Sequence, residues 1–131
     1  MTTIAKLMGS GVPAAQAQAT TAGVPLSGLA AAGVSSQANA TLITSDLSVF
    51  TTVPASTAGA RLPAASAPSL TAQAGDIFVV VNSTATAMNV YPPVGGNFAG
   101  VAVNTAVVLP AAKVGDFYCL GNNVWAASIG G

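Results

Sequence analysis

Charge is what this sequence has least of. Ionic side chains make up 5% of its 131 residues, against roughly 25% in an ordinary soluble domain. They are Lys6, Asp46, Arg61, Asp76, Lys113 and Asp116, and they sum to zero. A chain without net charge has no field to attract nucleic acid or an anionic membrane. Histidine and glutamate are absent. Without histidine there is no Ser-His pair, and a Ser-Lys variant would need Lys113 buried beside a serine, which nothing in the pattern provides. The single cysteine, Cys119, excludes an internal disulfide. It lies in an apolar strand-like run without a base to ionise it, so it reads as a small buried hydrophobe. Three scattered aspartates neither form a metal cluster nor pair for sugar hydrolysis, and no cofactor is expected. Long apolar runs are missing too. The best, Val101 to Val114, is broken by Asn104, Thr105, Pro110 and Lys113, whereas a membrane span needs about 20 apolar residues. The start of the chain is likewise too broken by Gly9, Gly11 and Pro13 for the apolar centre of a signal peptide.

What the sequence has instead is alanine, threonine, serine, asparagine and small aliphatics, 52% of it hydrophobic. A soluble monomer ordinarily keeps its surface charged. A chain this neutral either wears an uncharged polar surface or has much of it covered by neighbours, and the second reading is preferred.

Composition changes near residue 39. Residues 1–38 are rich in Ala, Gly, Gln, Ser and Thr and hold few large side chains. They read as an N-terminal arm, extended or partly helical, with Pro13 opening a short helix toward Ala19. Val12, Pro13, Leu26 and Leu29 are its expected assembly contacts. Residues 39–131 read as a β domain. Strands are expected at Thr41–Thr44, Leu47–Val53, Ala60–Pro63, Asp76–Asn82, Ala87–Tyr91, Thr105–Leu109, Asp116–Leu120 and Val124–Ser128. The run Asp76–Asn82 and the run Thr105–Leu109 suggest burial on both faces, while Ala87–Tyr91 alternates, with Met88 and Val90 opposite Asn89. Gly121-Asn122-Asn123 reads as a hairpin turn. Gly75-Asp76 and Gly115-Asp116 read as a glycine turn followed by an aspartate that bonds nearby amides. Short strands at this spacing predict an all-β antiparallel sandwich or jelly-roll.

Aromatics are scarce, so each is worth placing. Tyr91, Phe98 and Trp125 are candidates for surface contacts such as sugar stacking, with Tyr118 and Trp125 sharing one sheet face across the last hairpin. Core filling is the competing and stronger reading. Asn39-Ala40-Thr41 and Asn82-Ser83-Thr84 match the glycosylation acceptor pattern, which arises often by chance.

Three stretches resemble small structural proteins of tailed bacteriophages: Ala74-Gly75-Asp76 before a Val-rich strand, Asn89-Val90-Tyr91-Pro92 before a glycine loop, and the terminal Phe117–Trp125 hairpin. The resemblance covers about residues 59–128 and extends to capsid decoration (cement) proteins and to fibre modules. For cement proteins it implies homotrimers of β-sandwich or β-tulip-like subunits on the capsid surface that bridge major capsid subunits, without catalytic residues or cofactor. It therefore implies a virion protein, made in the cytoplasm of a host bacterium, whose partners are its own copies and the major capsid protein. The alternative is a host-binding head-fibre or tail-fibre domain that touches glycans through the aromatic hairpin and the Pro92–Gly100 loop.

Overall fold

The structure is a computed structural model, and it describes residues 25–65 and 71–130. The region 26–61 yields β1 (Leu26–Ala30), β2 (Thr41–Leu42), β3 (Leu47–Thr52) and β4 (Gly59–Arg61). Then come β5 (Ile77–Asn82), β6 (Met88–Tyr91), β7 (Asn97–Phe98), β8 (Val107–Leu109), β9 (Val114–Gly121) and β10 (Val124–Gly130). The described residues are all-β, without a helix, and form two mixed sheets.

The chain alternates between the sheets with each successive strand up to β9. One sheet has six strands in the order β1-β3-β5-β9-β10-β7, and the other has four in the order β2-β4-β6-β8. β1, β3 and β5 run parallel, as do β2, β4 and β6. Residues 26–91 therefore wind through three stacked turns, each giving one strand to each sheet. The stack closes by antiparallel additions, β8 on β6 and β9 on β5, and β7 returns parallel to β10. The expected antiparallel arrangement is thus corrected: five of the eight strand pairings are parallel. Local patterning could not reveal this, because parallel partners are non-local and share the same alternation as antiparallel ones.

Stacked turns place like positions above one another. Leu29, Phe50 and Asn82 form one inward column, Ser48 and Val80 another, and Thr41, Ala60 and Val90 a third in the smaller sheet. Phe50, Phe78, Val80, Phe117, Cys119 and Trp125 from the larger sheet share one core with Ala60, Met88, Val90 and Leu109 from the smaller. Close stacking explains Gly59: a Cβ there would run into the Asn89 carbonyl on β6. Gly59→Ala is expected to cost about 1–3 kcal/mol by forcing β4 from β6, and a denaturant titration that leaves the midpoint unmoved would refute that contact.

Several expectations meet their outcome here. The hairpin turn is present, with Asn122 and Asn123 at φ of 52° and 60°, the left-handed pair of a type I′ connection. Met88 and Val90 are buried opposite Asn89, as the alternation predicts. β5 is corrected: Phe78, Val80 and Asn82 are buried, but Ile77, Val79 and Val81 are only half-buried on the other face. Thr105–Leu109 is corrected as well, because β8 is a three-residue edge strand in which only Leu109 is buried. Leu26–Ala30 is an edge strand of the six-stranded sheet, and Leu26 and Leu29 are half-buried in register with Ser48 and Phe50. Propensity hid this strand, since Gly28 sits at φ +72° within the register shift between Leu26 and Leu29; its pairing with β3 makes it a strand. Deleting residues 1–38 is therefore expected to lower the melting temperature of the β body, read by circular dichroism; an unchanged melt would return β1 to the arm. Val12, Pro13 and the expected short helix lie outside the described residues.

Candidate functional site

Gly75, at φ +96°, turns the chain, and the Asp76 carboxylate accepts a bond from the Gln73 amide at 2.9 Å. This is the turn expected for the first Gly-Asp pair. The second pair differs: Gly115 lies inside β9, buried against the Phe117 ring, and the preceding turn instead bends at Ala112, φ 58°. Arg61 reaches the carbonyls of Gln37 and Ala38 at 3.5 Å each, and Gln37 Nε2 donates to the Pro92 carbonyl at 2.8 Å. Loop 33–40 is thereby tied across the outer side of the four-stranded sheet. Among the described residues no three His, Cys, Asp or Glu side chains group closely enough to hold a metal ion. No helix among them is long and apolar enough to cross a membrane.

Burial raises the Asp46 carboxyl above the ordinary aspartate value, with the Asp76 charge adding to the shift. The fold favours the protonated form, so its contribution to stability is present in acid and is lost as pH rises through the raised value. Asp46→Asn is expected to flatten that part of the pH–stability curve, measured by urea unfolding at several pH values. Cys119 is buried, and desolvation pushes its thiol up as well. Such a thiol is protonated and inert.

The aromatic candidates fall mainly inside. Trp125 is fully buried with its ring centroid 5.4 Å from that of Phe78, and Phe98 is buried 5.9 Å from Phe117. Tyr91 is buried too, its hydroxyl 3.4 Å from Asn89 Nδ2. The surface-contact assignment for Tyr91, Phe98 and Trp125 is corrected accordingly. The register explains the hairpin pair: a one-residue shift after Val124 sets Trp125 opposite Cys119 on the core face, and Tyr118 opposite Ala126 on the other. Tyr118 and Trp125 therefore face opposite ways. Of the two acceptor patterns, Asn39 is exposed, whereas Asn82 is fully buried.

Much of the exposed surface is small or neutral polar, with aliphatic side chains grouped in two places. On the outer face of the six-stranded sheet, register aligns Leu47, Val79, Asp116 and Ser128 in one row. A second row holds Ile77, Tyr118 and Ala126, and a third holds Val49, Val81, Val114 and Gly130. Asp116 is the one ionic side chain in these rows. Leu120, beside them on β9, is 53% exposed. A second apolar group stands at the β6–β8 loops. Val94 and Val103 are 61% and 57% exposed, and their loops are joined by the Gly95 amide donating to Asn104 Oδ1 at 2.7 Å. A groove of about 260 Å³, lined by Leu42, Ile43, Thr44, Pro63, Thr71 and Phe78, carries no ionisable group. Sequence reading missed the outer face because a strand with apolar residues on both sides looks like one covered on both sides.

No family model matches the chain, and neither the curated proteins nor the solved structures contain a match to it.

Proposed function

We propose that this chain is a bacteriophage capsid decoration (cement) protein that assembles as a homotrimer and bridges major capsid subunits at the virion surface. The observation that carries the reading is aliphatic exposure on a chain with almost no charge: Val34, Val94, Val103, Val108 and Leu120 each keep more than half of their surface open in the single chain. Exposed apolar area of this kind marks contact surfaces when it is contiguous. Strand edges at β1, β2, β7 and β8, unpaired among the described residues, add a second reason for cover by neighbours. The two sheets are read as the halves of a sandwich, closer to a stacked coil than to a jelly roll.

The work done is mechanical. Many modest contacts, repeated over a shell, act together and raise the barrier to rupture. Chemistry is not part of this reading, since Asp46, Arg61, Asp76, Lys113 and Asp116 serve turns, loops and one sheet face. The fibre alternative called on the aromatic hairpin and the Pro92–Gly100 loop, and the burial of Tyr91 and Trp125 takes those two rings from it. Two measurements test the proposal. Light scattering of the purified chain at micromolar concentration is expected to give a mass of three copies. Shells carrying the protein are expected to release DNA at a higher temperature than bare shells. A stable monomer, or shells whose rupture temperature ignores the protein, would overturn it.

A further inference from the structure

We infer that the outer face of the six-stranded sheet is the docking surface for a second copy of this chain, and that it receives that copy's Val94/Val103 loops. The inference rests on the trimer reading above and names the surfaces through which it is built. Four strands, β3, β5, β9 and β10, carry the face. At the usual strand spacing and rise they span about 19 Å by about 20 Å, or roughly 400 Å² in projection. A stable interface takes about 800 Å² of accessible surface from each partner. One such patch per subunit is small for a dimer, but a closed ring engages two patches on every subunit.

Charge decides between the two modes. If the face packed on its own copy, the interface would be isologous and would enclose two Asp116 carboxylates and no cation. Enclosing like charges is costly. The β6–β8 loops have the opposite character. Between Asp76 and Lys113 the sequence holds no ionic residue, and Val94 and Val103 project beside the neutral amide and hydroxyl donors of Asn104 and Thr105, both exposed. The Asn104 Nδ2 can answer Asp116, since only its Oδ1 is engaged with the Gly95 amide, while the two valines meet Ile77, Val79, Tyr118 and Leu120. Face and loops are different patches of one molecule, so the contact is heterologous, the kind that closes into a ring when the rotation allows. Loop 33–40 already lies across part of the smaller sheet, which leaves the larger sheet's outer face as the broad apolar one.

The test uses two variants of the full chain at exposed positions: Tyr118→Asp with Leu120→Asp for the face, and Val94→Asp with Val103→Asp for the loops. Circular dichroism and melting check that each stays folded; where one does not, serine replaces aspartate at the same positions. Each variant alone is expected to fall from three copies to one by analytical ultracentrifugation. An equimolar mixture retains one intact face and one intact loop pair, and is expected to show a two-copy species absent from either component. A monomeric wild type defeats the trimer reading and this inference with it. A trimeric wild type whose face variant remains trimeric overturns only the inference, and does so equally if that variant stops binding shells, because the face then belongs to the shell. Dissociation of the face variant while the loop variant stays trimeric, or a mixture without the two-copy species, overturns the loop assignment.

Discussion

Trp125→Ala is expected to lose about 3–5 kcal/mol of folding free energy, the range for removing a buried aromatic ring. Total stability for a domain is about 5–15 kcal/mol, so the variant should melt roughly 10–20 °C lower and sit near the edge of folding. The geometry explains the size. Trp125 is fully buried, lies against Phe78, and pairs in register with Cys119 on β9 and Phe98 on β7. Its removal opens a cavity where three strands meet. Trp125→Phe provides the control. The indole Nε1 has no hydrogen-bond partner among the described residues, and leaving such a donor unsatisfied costs about 1–3 kcal/mol. Phenylalanine removes that donor and keeps a ring against Phe78, so a net change under about 1.5 kcal/mol is expected. Chemical denaturation of both variants decides the matter. If Ala and Phe cost the same, the ring contact is not the source of stability. If Ala costs under about 1 kcal/mol, Trp125 is not the core residue described here. The same pair of variants separates folding from recognition: any loss of shell or cell binding by Trp125→Ala should travel with the lowered melting temperature.

Strands carrying their own signal were legible: the β-branched run of β5, the Met88/Val90 alternation of β6 and the Asn122-Asn123 turn each encode their conformation locally. β1 and β7 were not. Leu26–Ala30 contains a glycine and small residues, and Asn97–Phe98 is two residues long; both are strands only because β3 and β10 offer parallel partners. Parallel stacking was invisible for the same reason, since the three turns carry no repeated sequence and agree only in where their residues land. The candidate site fared similarly. That the chain would meet neighbours follows from its lack of charge. Which surface it would offer does not, because Ile77, Val79 and Val81 look as buried in sequence as Phe78 and Val80. The aromatics misled in the other direction. A single register shift after Val124 decides that Trp125 faces inward and Tyr118 outward, and no residue pattern announces that shift.

Asn82 carries the second large effect, and it shows how a stack of parallel turns is terminated. It ends the inward column begun by Leu29 and Phe50, and it is a polar side chain at full burial. Its Nδ2 donates to the carbonyls of Thr86 at 2.8 Å, Pro110 at 3.2 Å and Leu109 at 3.3 Å. Its Oδ1 accepts from the Thr84 amide at 3.1 Å and the Thr84 hydroxyl at 2.7 Å. One amide therefore joins the β5–β6 loop to the β8–β9 turn, across the seam where parallel winding gives way to antiparallel closure. Asn82→Ala removes the donor to the Leu109 and Pro110 carbonyls and the acceptor for the Thr84 amide, while the Thr86 carbonyl keeps the Thr84 hydroxyl at 2.9 Å, for an expected cost of about 2–4 kcal/mol. Asn82→Asp keeps the acceptor toward Thr84 but turns a carboxylate toward three carbonyl oxygens. It should be less stable than the alanine variant at pH 7. Because the fold would favour its protonated form, which can donate to one carbonyl, the variant should regain stability as pH falls. Urea unfolding at pH 7 and pH 4 reads both effects. An aspartate variant as stable as wild type at pH 7 would mean that the amide does not donate to these carbonyls, and the seam between the two modes of winding would need another lock.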